Sequence, residues 1–394
     1  MGVRPGNGMK YMLVAGEASG DLHASRLMEW LKRVDADAEF RFVGGDRMAD
    51  VAGKAPDLHY RQLNVMGFSE VLRKLPAIFS ALRKGKKLMA EFQPDRLILV
   101  DYPGFNLKMA KAAWKRGVAV DWYISPKVWA WKEWRVKNLK KYVDYMYSIL
   151  PFEPEFYRQR GFDRISYVGN PSVEEIDGTL KLLPARNHFI ERAGLDPSKP
   201  IIALLPGSRR GEIRCNLPVM IKAAKRFPEF QMVVAAAPSM PEKFYREVAR
   251  DPGLQVVFES TVTLLKYSMA ALVTSGTATM ETALVGTPQV VCYRSNGSKL
   301  TYKIMRKLIH VDFVSLPNLI AGERVVPELL LHDCTPEKVA YELSPLLLNS
   351  PGRENQAAGY KLIRKRLGTD NAPQKAAAII YERASRREDA APRG

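Results

Sequence analysis

Short runs of large apolar residues alternate along the chain with segments whose apolar residues recur at helical spacing. Runs of the first kind predict buried strands at residues 11–15, 40–44, 96–101, 118–124, 201–207, 231–237, 254–260, 270–276 and 289–294. Segments between them, such as 25–34 and 216–227, have the spacing of helices. Strands that are apolar on both faces and alternate with helices are typical of parallel sheets covered by helices. We therefore predict an α/β protein.

A polar, weakly periodic stretch at residues 172–200 separates the predicted strands into two sets. The chain has 394 residues, which is more than one hydrophobic core usually serves. We predict two Rossmann-like domains facing one cleft, the first comprising residues 1–172 and the second residues 173–350. Residues 351–394 have a helical pattern, and we expect them to pack back on the first domain.

Composition and charge narrow the class of protein. The chain is 46% hydrophobic and 26% charged, as is ordinary for a globular protein, and it contains neither a signal-peptide pattern nor an apolar run long enough to span a membrane. Its three cysteines and five histidines lack metal-binding spacing, so we expect neither a disulfide framework nor a metal site. The net charge of +18 predicts attraction to nucleic acid, an anionic lipid surface or a phosphorylated substrate.

A carboxylate ends one of the buried strands. In LILVDYPGFN, residues 97–106, Asp101 follows four apolar residues and precedes a Tyr-Pro-Gly turn. Ligands of open parallel sheets bind beyond the carboxyl ends of the strands, where this group could serve as a general base. An Asp before Pro and Gly is also a common turn residue. The local pattern leaves both interpretations open.

The turn after the first strand, GEASGD at residues 16–21, also has two interpretations. Its glycines permit a tight turn into a helix that Ser19 or Asp21 could cap. Alternatively, Glu17 and Ser19 bind hydroxyl groups of an acceptor substrate. The turn after the fourth strand, SPKVWAWKEWR at residues 125–135, has three tryptophans among basic residues. It could stack bases, line a sugar and phosphate site, or pack its indoles into the core.

Two turns in the second half have the composition of phosphate sites. The first, LLPGSRRGEI at residues 204–213, places Ser208 and Arg209 directly after a buried strand. It offers backbone amides at a helix start, a hydroxyl and a guanidinium. The second, TSGTATMETALVGTP at residues 274–288, has small hydroxyl residues around a glycine that opens a helix, with Glu281 one turn in. Together they predict a nucleotide diphosphate site.

Residues 65–92 form an amphipathic segment with many basic residues. Pro76 is expected to kink this helix or to begin a second one. Such a segment suits an anionic lipid interface, although a pair of helices packed on the core has the same periodicity. The residues that we expect to dock on a membrane are Val65, Phe68, Leu72, Leu75, Phe79, Lys84, Lys86 and Lys87.

Several motifs, taken in order along the chain, resemble the lipid-A-disaccharide synthase family. They are GEASGD, VMGFSEVL, DYPGFN, YISPKVWAW, LPFEPEFY, YVGNP, LLPGSRRGEI, SGTATMETALVGTP and VSLPNLIAGERVVPELL. The match extends from about residue 11 to beyond residue 340. SPKVWAW and LPNLIAG are long and unusual, so chance is a poor explanation.

The resemblance implies an inverting glycosyltransferase of the two-domain GT-B fold, active in lipid A (lipopolysaccharide) biosynthesis. Such enzymes join UDP-2,3-diacylglucosamine to 2,3-diacylglucosamine 1-phosphate (lipid X), releasing UDP and a β-1,6-linked disaccharide. The family needs no metal ion or other cofactor. It is cytoplasmic and peripheral on the inner face of the bacterial inner membrane, which implies an anionic membrane partner and no nucleic acid. A homodimer is compatible with the resemblance.

The resemblance also assigns roles to residues. The proposed base of the D-x-P-x-F-N motif falls on Asp101, and Asn106 of the same motif is assigned to the acceptor side. Glu17 and Ser19 belong to that side as well. Gly104 departs from the motif, because relatives often carry a second Asp there. The residues assigned to the UDP-sugar are Ser208, Arg209, Ser275, Gly276, Thr277, Glu281 and Asn318.

Two other functions remain open at this stage. Another two-domain enzyme that uses a UDP-sugar, such as a UDP-N-acetylglucosamine 2-epimerase or a membrane-associated N-acetylglucosaminyltransferase, would share the two diphosphate turns. An epimerase would need neither a basic amphipathic helix nor an acylated acceptor. A nucleic-acid-binding protein would account for the positive charge, but no helix-turn-helix, RNP or zinc-finger pattern supports it.

Overall fold

The computed structural model describes residues 8–62, 68–130, 132–258, 260–294, 313–348 and 350–386, with only the backbone of residues 68–75. The chain divides into two compact units. The first unit runs to Pro171 and resumes at Thr369, and the second comprises Ser172–Gly368.

A parallel sheet of seven strands, in the order β3-β2-β1-β4-β5-β6-β7, forms the centre of the first unit. The strands are β1 (Lys10–Ala15), β2 (Glu39–Gly44), β3 (Leu58–His59), β4 (Arg96–Val100), β5 (Ala119–Tyr123), β6 (Tyr145–Ser148) and β7 (Ile165–Tyr167). The helices between them are α1 (Ala18–Val34), α2 (Asp46–Ala52), α3 (Phe68–Phe92), α4 (Pro103–Trp114), α5 (Val136–Tyr142) and α6 (Glu153–Arg158).

Both faces of this sheet are buried, as the continuous apolar runs predict. Alternate residues of a strand point to opposite faces. Met12 and Val14 accordingly join an apolar cluster with helices α3, α4 and α5, whereas Tyr11 and Leu13 join a second cluster with α1. Residues 372–380 of the last helix also pack in this second cluster.

The second unit contains a parallel sheet of six strands in the order β10-β9-β8-β11-β12-β13. The strands are β8 (Ile201–Leu205), β9 (Gln231–Ala235), β10 (Gln255–Val257), β11 (Ser268–Thr274), β12 (Gln289–Tyr293) and β13 (Glu328–Leu330). Helix α7 (Pro171–Lys181) begins at the boundary. It is followed by α8 (Arg186–Arg192), α9 (Arg210–Ala224), α10 (Glu242–Ala249), α11 (Thr261–Tyr267), α12 (Thr277–Val285), α13 (Leu316–Ala321), α14 (Pro336–Leu343) and α15 (Pro351–Leu367).

The C-terminal helices differ from the sequence-based expectation. Helix α15 lies in the second unit, where the Arg364 guanidinium pairs with the Asp177 carboxylate at 2.9 Å and donates to a carbonyl of α12. The last helix, α16 (Ala372–Arg386), lies in the first unit and packs against α1. The expectation that all of residues 351–394 return to the first domain is therefore wrong for α15, whose polar side chains are committed to the second unit.

In each sheet the strand order reverses beside the first strand. The chain goes from β1 to β2 and β3 on one side and then crosses to β4 on the other. The second sheet repeats this pattern, with β9 and β10 on one side of β8 and β11 on the other. Parallel sheets bind ligands beyond the carboxyl ends of the strands at such a reversal. The fold thus singles out the ends of β1 and β4, and those of β8 and β11.

The predicted strands all form, and the α/β class with two parallel sheets is confirmed. Four short strands, β3, β6, β7 and β13, were not predicted. Pro76 lies inside the continuous helix α3 rather than at the start of a second helix.

Candidate functional site

The chain leaves β4 through two left-handed residues, Asp101 with φ 43° and Tyr102 with φ 47°. On the neighbouring strand, the residue after β5 is Ile124, with φ 64°. Residues other than glycine held in this region cost roughly 1–3 kcal/mol each, and a β-branched residue there is a genuine outlier. Strain of this kind gathers where function requires a particular backbone path. Its presence at two adjacent strand ends supports a site here.

Asn106 fixes the backbone of this turn. It is fully buried, and its Nδ2 donates to the main-chain oxygens of Val100 at 3.2 Å and Asp101 at 2.7 Å. The Asp101 amide in turn donates to the Tyr123 carbonyl of β5 at 3.1 Å. The Oδ1 atom of Asn106 has no hydrogen-bond partner among the described residues. Asn106 therefore acts on the position of Asp101, and its side chain is enclosed rather than open to a substrate.

The environment of Asp101 favours a base. Burial raises the pKa of its carboxyl above the ordinary value, the nearby Lys127 ammonium lowers it, and the Glu17 carboxylate raises it again. The Tyr102 main-chain amide donates to the carboxylate and also lowers its pKa. A partly desolvated carboxylate is a stronger proton acceptor than a hydrated one.

The structure brings Glu17 to the same strand ends. Glu17 precedes α1 in extended conformation, and the exposed Ser19 hydroxyl donates to its Oε1 at 2.7 Å. Ala15 and Val100 are paired at the ends of β1 and β4, so Glu17 and Asp101 follow adjacent strand ends, and the Glu17 charge raises the pKa of Asp101. Gly16 makes this possible, because a Cβ there would come within 2.2 Å of the Tyr102 ring.

Asp21 has a different role from the one its position suggests. Neither it nor Ser19 caps α1. Instead, the buried Asp21 carboxylate accepts hydrogen bonds from the main-chain amides of Gly45 at 2.7 Å and Arg47 at 3.1 Å. It thereby caps helix α2, and the GEASGD turn is tied to the end of β2.

The aromatic segment after β5 contains a buried network that the sequence did not reveal. Trp129 packs in the interior, and its Nε1 donates to Glu153 Oε1 at 2.9 Å. The Ser125 hydroxyl donates to Glu153 Oε2 at 2.5 Å. Burial raises the pKa of Glu153 to about 7, against the lowering effects of these two donors and of Lys127. The only sequence signal for Glu153 was its place in the LPFEPEFY motif.

The two described tryptophans of this segment, Trp129 and Trp134, lie in different environments. Trp129 is committed to the interior by its bond to Glu153, and Trp131 lies outside the described residues. Trp134 is exposed, with the Arg135 guanidinium 5.7 Å from its ring centroid. The core interpretation thus holds for Trp129.

In the second unit, the turn after β8 places Ser208 and Arg209 at the start of α9. Glu212 Oε2 accepts their main-chain amides at 3.2 and 3.3 Å, and its Oε1 accepts from Arg209 Nη1 at 3.1 Å. The Arg209 side chain is nevertheless 84% exposed. The amides expected to bind phosphate are present, but an internal carboxylate occupies them, which the sequence did not predict. Gly207 (φ 108°) leaves the space for that carboxylate.

The turn after β11 presents an open helix start. Gly276 (φ 149°) precedes α12 and supplies no capping side chain, so the amides of Thr277 and Ala278 have no intrahelical acceptor, whereas the Thr279 amide donates to the Gly276 carbonyl at 3.2 Å. Ser275 is half-buried and Thr277 exposed at this end. Strands β8 and β11 are neighbours, with Leu205 beside Val273, so the two predicted phosphate turns lie at adjacent strand ends.

Glu281 lies one turn into α12 and is half-buried. Burial raises the pKa of its carboxyl, and the Glu175 carboxylate of α7 raises it further. The charges of these two acidic groups therefore interact near the open start of α12. A pair of this kind can accept hydrogen bonds from ligand hydroxyl groups, as a ribose would offer.

Asn318 does not fit the role of a nucleotide contact. Its Nδ2 donates to the Val326 carbonyl and to Glu328 Oε1, and its Oδ1 accepts from the amides of Val325 and Val326, all within 3.0 Å. A side-chain amide has two donors and two acceptor positions, and these four bonds use all of them. The assignment of Asn318 to the UDP-sugar is thus corrected: this buried residue organises the loop before β13.

The predicted membrane-docking residues are described in part. Val65 lies outside the described residues, and the side chains of Phe68, Leu72 and Leu75 do as well. Phe79 is 53% exposed, with Lys108 Nζ 5.0 Å from its ring centroid. On the following turns of α3, Lys84 and Lys87 are exposed and Lys86 is half-buried.

Within the described ranges, no three His, Cys, Asp or Glu side chains are grouped so as to hold a metal ion. No helix in the same part of the chain is long and apolar enough to cross a membrane.

Comparison with known proteins extends this picture. The family described as "Lipid-A-disaccharide synthetase" matches residues 11–380. The lipid-A-disaccharide synthase of Myxococcus xanthus is 41% identical over 382 residues, covering 95% of this chain and 98% of that protein. The enzyme of the same name from Geobacter metallireducens is 37% identical over 388 residues, covering 97% and 98% respectively.

Among solved structures, a UDP-GlcNAc 2-epimerase from Neisseria meningitidis, bound to UDP-GlcNAc, superposes with a TM-score of 0.65. The comparison covers 96% of this chain and 100% of that one, at 14% identity. This likeness bears on the fold alone and agrees with the predicted GT-B class of two Rossmann-like domains. The sequence comparisons decide the family: the chain belongs to the lipid-A-disaccharide synthetase family.

Proposed function

We propose that this chain catalyses the reaction for which its family is named. It transfers 2,3-diacylglucosamine from UDP to the 6-hydroxyl of 2,3-diacylglucosamine 1-phosphate, with inversion at the anomeric carbon. The observation that carries the proposal is the placement of Asp101, a partly desolvated carboxylate on a strained turn at the strand reversal of the first sheet. It falls in a chain whose family match extends over residues 11–380.

Asp101 acts as the general base. As the acceptor oxygen forms its bond to the anomeric carbon, its proton passes to the Asp101 carboxylate, and the bond from that carbon to the UDP oxygen breaks. Glu17 and the exposed Ser19 hydroxyl flank the base and are suited to hold sugar hydroxyl groups. A hydroxyl is a poor nucleophile, and a well-placed base typically accelerates such a step by about 100-fold or more.

The second unit holds the nucleotide. The departing UDP gathers negative charge, which the exposed Arg209 guanidinium and the open start of α12 stabilise without a metal ion. Since Glu212 occupies the amides of Ser208 and Arg209 through bonds of 3.2 and 3.3 Å, diphosphate oxygens replace its carboxylate there. Glu281 and Glu175 accept hydroxyl groups of the nucleoside.

The enzyme reaches its acylated substrates by docking peripherally on the inner face of the cytoplasmic membrane. Exposed Phe79 and the basic side chains of α3 support this proposal. The proposed change is Phe79→Ser together with Lys84→Gln and Lys87→Gln, and co-sedimentation with phosphatidylglycerol vesicles is the measurement. We expect weaker binding than for wild type. Leu182→Ser, which removes an 85% exposed leucine from the second unit, is the matched control, and equal binding by both variants would contradict docking through α3.

Mass spectrometry of the products tests the proposed reaction. The protein is incubated with UDP-2,3-diacylglucosamine and 2,3-diacylglucosamine 1-phosphate, and separately with UDP-N-acetylglucosamine alone. We expect a tetraacylated disaccharide 1-phosphate and UDP in equal amounts from the first mixture, and no change in the second. Conversion of UDP-N-acetylglucosamine without formation of a disaccharide would instead indicate an epimerase.

A further inference from the structure

Glu153 has contacts that the transfer mechanism leaves unexplained. It is 1% exposed and receives hydrogen bonds from two residues of one short segment, Ser125 at 2.5 Å and Trp129 at 2.9 Å. A buried carboxylate is costly unless hydrogen bonds or charges compensate it. Hydrophobic packing alone could have filled this position, so the contacts indicate a function for the segment that they hold.

A third bond fixes the residue before Lys127 in the same segment. The buried Tyr157 hydroxyl donates to the Pro126 carbonyl at 2.7 Å. Burial raises the pKa of Tyr157, and the charges of Glu153 and Asp101 raise it further. Helix α6 therefore holds the segment 125–129 at both ends and at Pro126, directly before Lys127.

Lys127 is the exposed residue of this otherwise buried segment. Its charge acts on both Asp101 and Glu153. The register of the sheet accounts for the proximity to Asp101: Val100 and Tyr123 are paired at the ends of β4 and β5, and Lys127 follows Tyr123 by four residues. The left-handed Ile124 directs the chain at this exit.

We propose that Glu153 is a positioning residue, which holds the segment 125–129 so that the Lys127 ammonium lies beside the Asp101 carboxylate. This inference rests on the proposed function of Asp101 as the base. A buried base that faces a second carboxylate, Glu17, would otherwise take up a proton and lose its function. Lys127 supplies the compensating charge. Glu153 fixes the position of Lys127 through the hydrogen bonds from Ser125 and Trp129 rather than through an ion pair with Lys127.

Other titratable groups near the pair are Tyr157 of α6, Tyr167 of β7 and His23 of α1. Burial raises the pKa of Tyr167, and the charges of Asp370 and Glu153 raise it further. Burial, together with the smaller effects of the Arg26 and Lys127 charges, lowers the pKa of His23 to about 4, so His23 is neutral near pH 7. None of these groups supplies the positive charge that Lys127 provides beside Asp101.

The pH dependence of kcat/KM tests the proposal. Lys127→Met and Glu153→Leu should both move the acid limb to higher pH, since Asp101 then holds its proton more tightly. Lys127→Arg and Glu153→Gln should stay near wild type, because Arg keeps the charge and Gln retains an acceptor for Trp129 and a partner for Ser125. The double variant Glu153→Leu/Lys127→Met should shift no further than Lys127→Met alone. An unchanged acid limb in Glu153→Leu, or an additive double variant, would overturn the inference.

A second readout does not depend on catalysis or on the folding of Glu153→Leu. Thermal unfolding at pH 8 is measured for Asp101→Asn, Lys127→Met and their combination, in the wild-type and Ser125→Ala backgrounds. We expect the Tm changes of Asp101→Asn and Lys127→Met to be non-additive. The deviation from additivity should be smaller in the Ser125→Ala background, where Ser125 no longer holds Glu153. Additive changes would overturn the inference even if the protein formed the disaccharide. If the protein formed no disaccharide while the changes in Tm stayed non-additive, only the proposed function would be wrong.

Discussion

The side-chain amide of Asn106 donates a hydrogen bond of 2.7 Å to the main-chain carbonyl of Asp101, so the residue that ends the D-x-P-x-F-N motif fixes the one that begins it. Asp101 and Tyr102 lie in a left-handed conformation that their side chains disfavour. The Asn106 bond compensates part of that cost. The motif thus holds the Asp101 carboxylate at the end of β4.

Replacing Asn106 with Ala should impair catalysis more than substrate binding. The substitution removes the hydrogen bond that Asn106 donates to each of the Val100 and Asp101 carbonyls and lets the turn relax. A displacement of about 1 Å at a reacting group can cost about 100-fold in rate. We expect a lower kcat with little change in KM in steady-state assays. Asn187→Ala, at an exposed site on α8, is the control, and equal kcat for both variants would contradict the role.

Asp101→Asn should stabilise the protein at neutral pH although it removes the base. Burial raises the pKa of Asp101 in the folded state, so the native protein binds more protons than the unfolded chain between the two pKa values. Stability then falls as pH rises through that window, and the loss persists above it. We expect a higher Tm than wild type at pH 8, with a difference that narrows as pH is lowered. A lower Tm for the variant at pH 8 would contradict this.

Arg209→Met should weaken UDP binding by about tenfold, because charge-assisted hydrogen bonds contribute about 1.5–3 kcal/mol. Isothermal titration with UDP measures this change. The adjacent Arg210 is the matched control, since its guanidinium lies 4.8 Å from the Phe244 ring centroid and packs within the unit. If Arg210→Met weakens UDP binding as much as Arg209→Met does, the assignment of Arg209 is wrong.

Asn318→Ala should destabilise the second unit without changing nucleotide affinity. The substitution leaves the amides of Val325 and Val326 without their shared acceptor, at about 1–3 kcal/mol for each buried group. Chemical denaturation should show the loss, and titration of the folded variant should give the wild-type Kd for UDP. A selective loss of UDP affinity at unchanged stability would restore Asn318 to the nucleotide site.

The sequence predicted the elements with long apolar runs and the turns that follow them. Strands such as β4 and β8 are buried on both faces, and each appears in the sequence as a continuous run of apolar residues. The short strands β3 and β13 have two and three residues, too few to form such a run. They form because a neighbouring strand already offers its hydrogen-bonding edge.

The candidate site could be predicted from the sequence as far as the placement of residues directly after buried strands, as for Asp101 and Arg209, whose roles stay predictions. It was not predictable where the role depends on which groups a side chain meets after folding. Asp21 caps a helix distant in sequence, and the side-chain amide of Asn318 forms its hydrogen bonds within its own loop. Glu153 is buried against residues 24 and 28 positions away, which no local pattern reveals.

The most direct test of the central claim compares disaccharide formation by the wild-type protein and by Asp101→Asn, with UDP affinity measured on the same preparations. The account predicts that the wild type forms the disaccharide and that Asp101→Asn is slower by about 100-fold or more, with an unchanged Kd for UDP. Turnover by Asp101→Asn close to that of the wild type would contradict it.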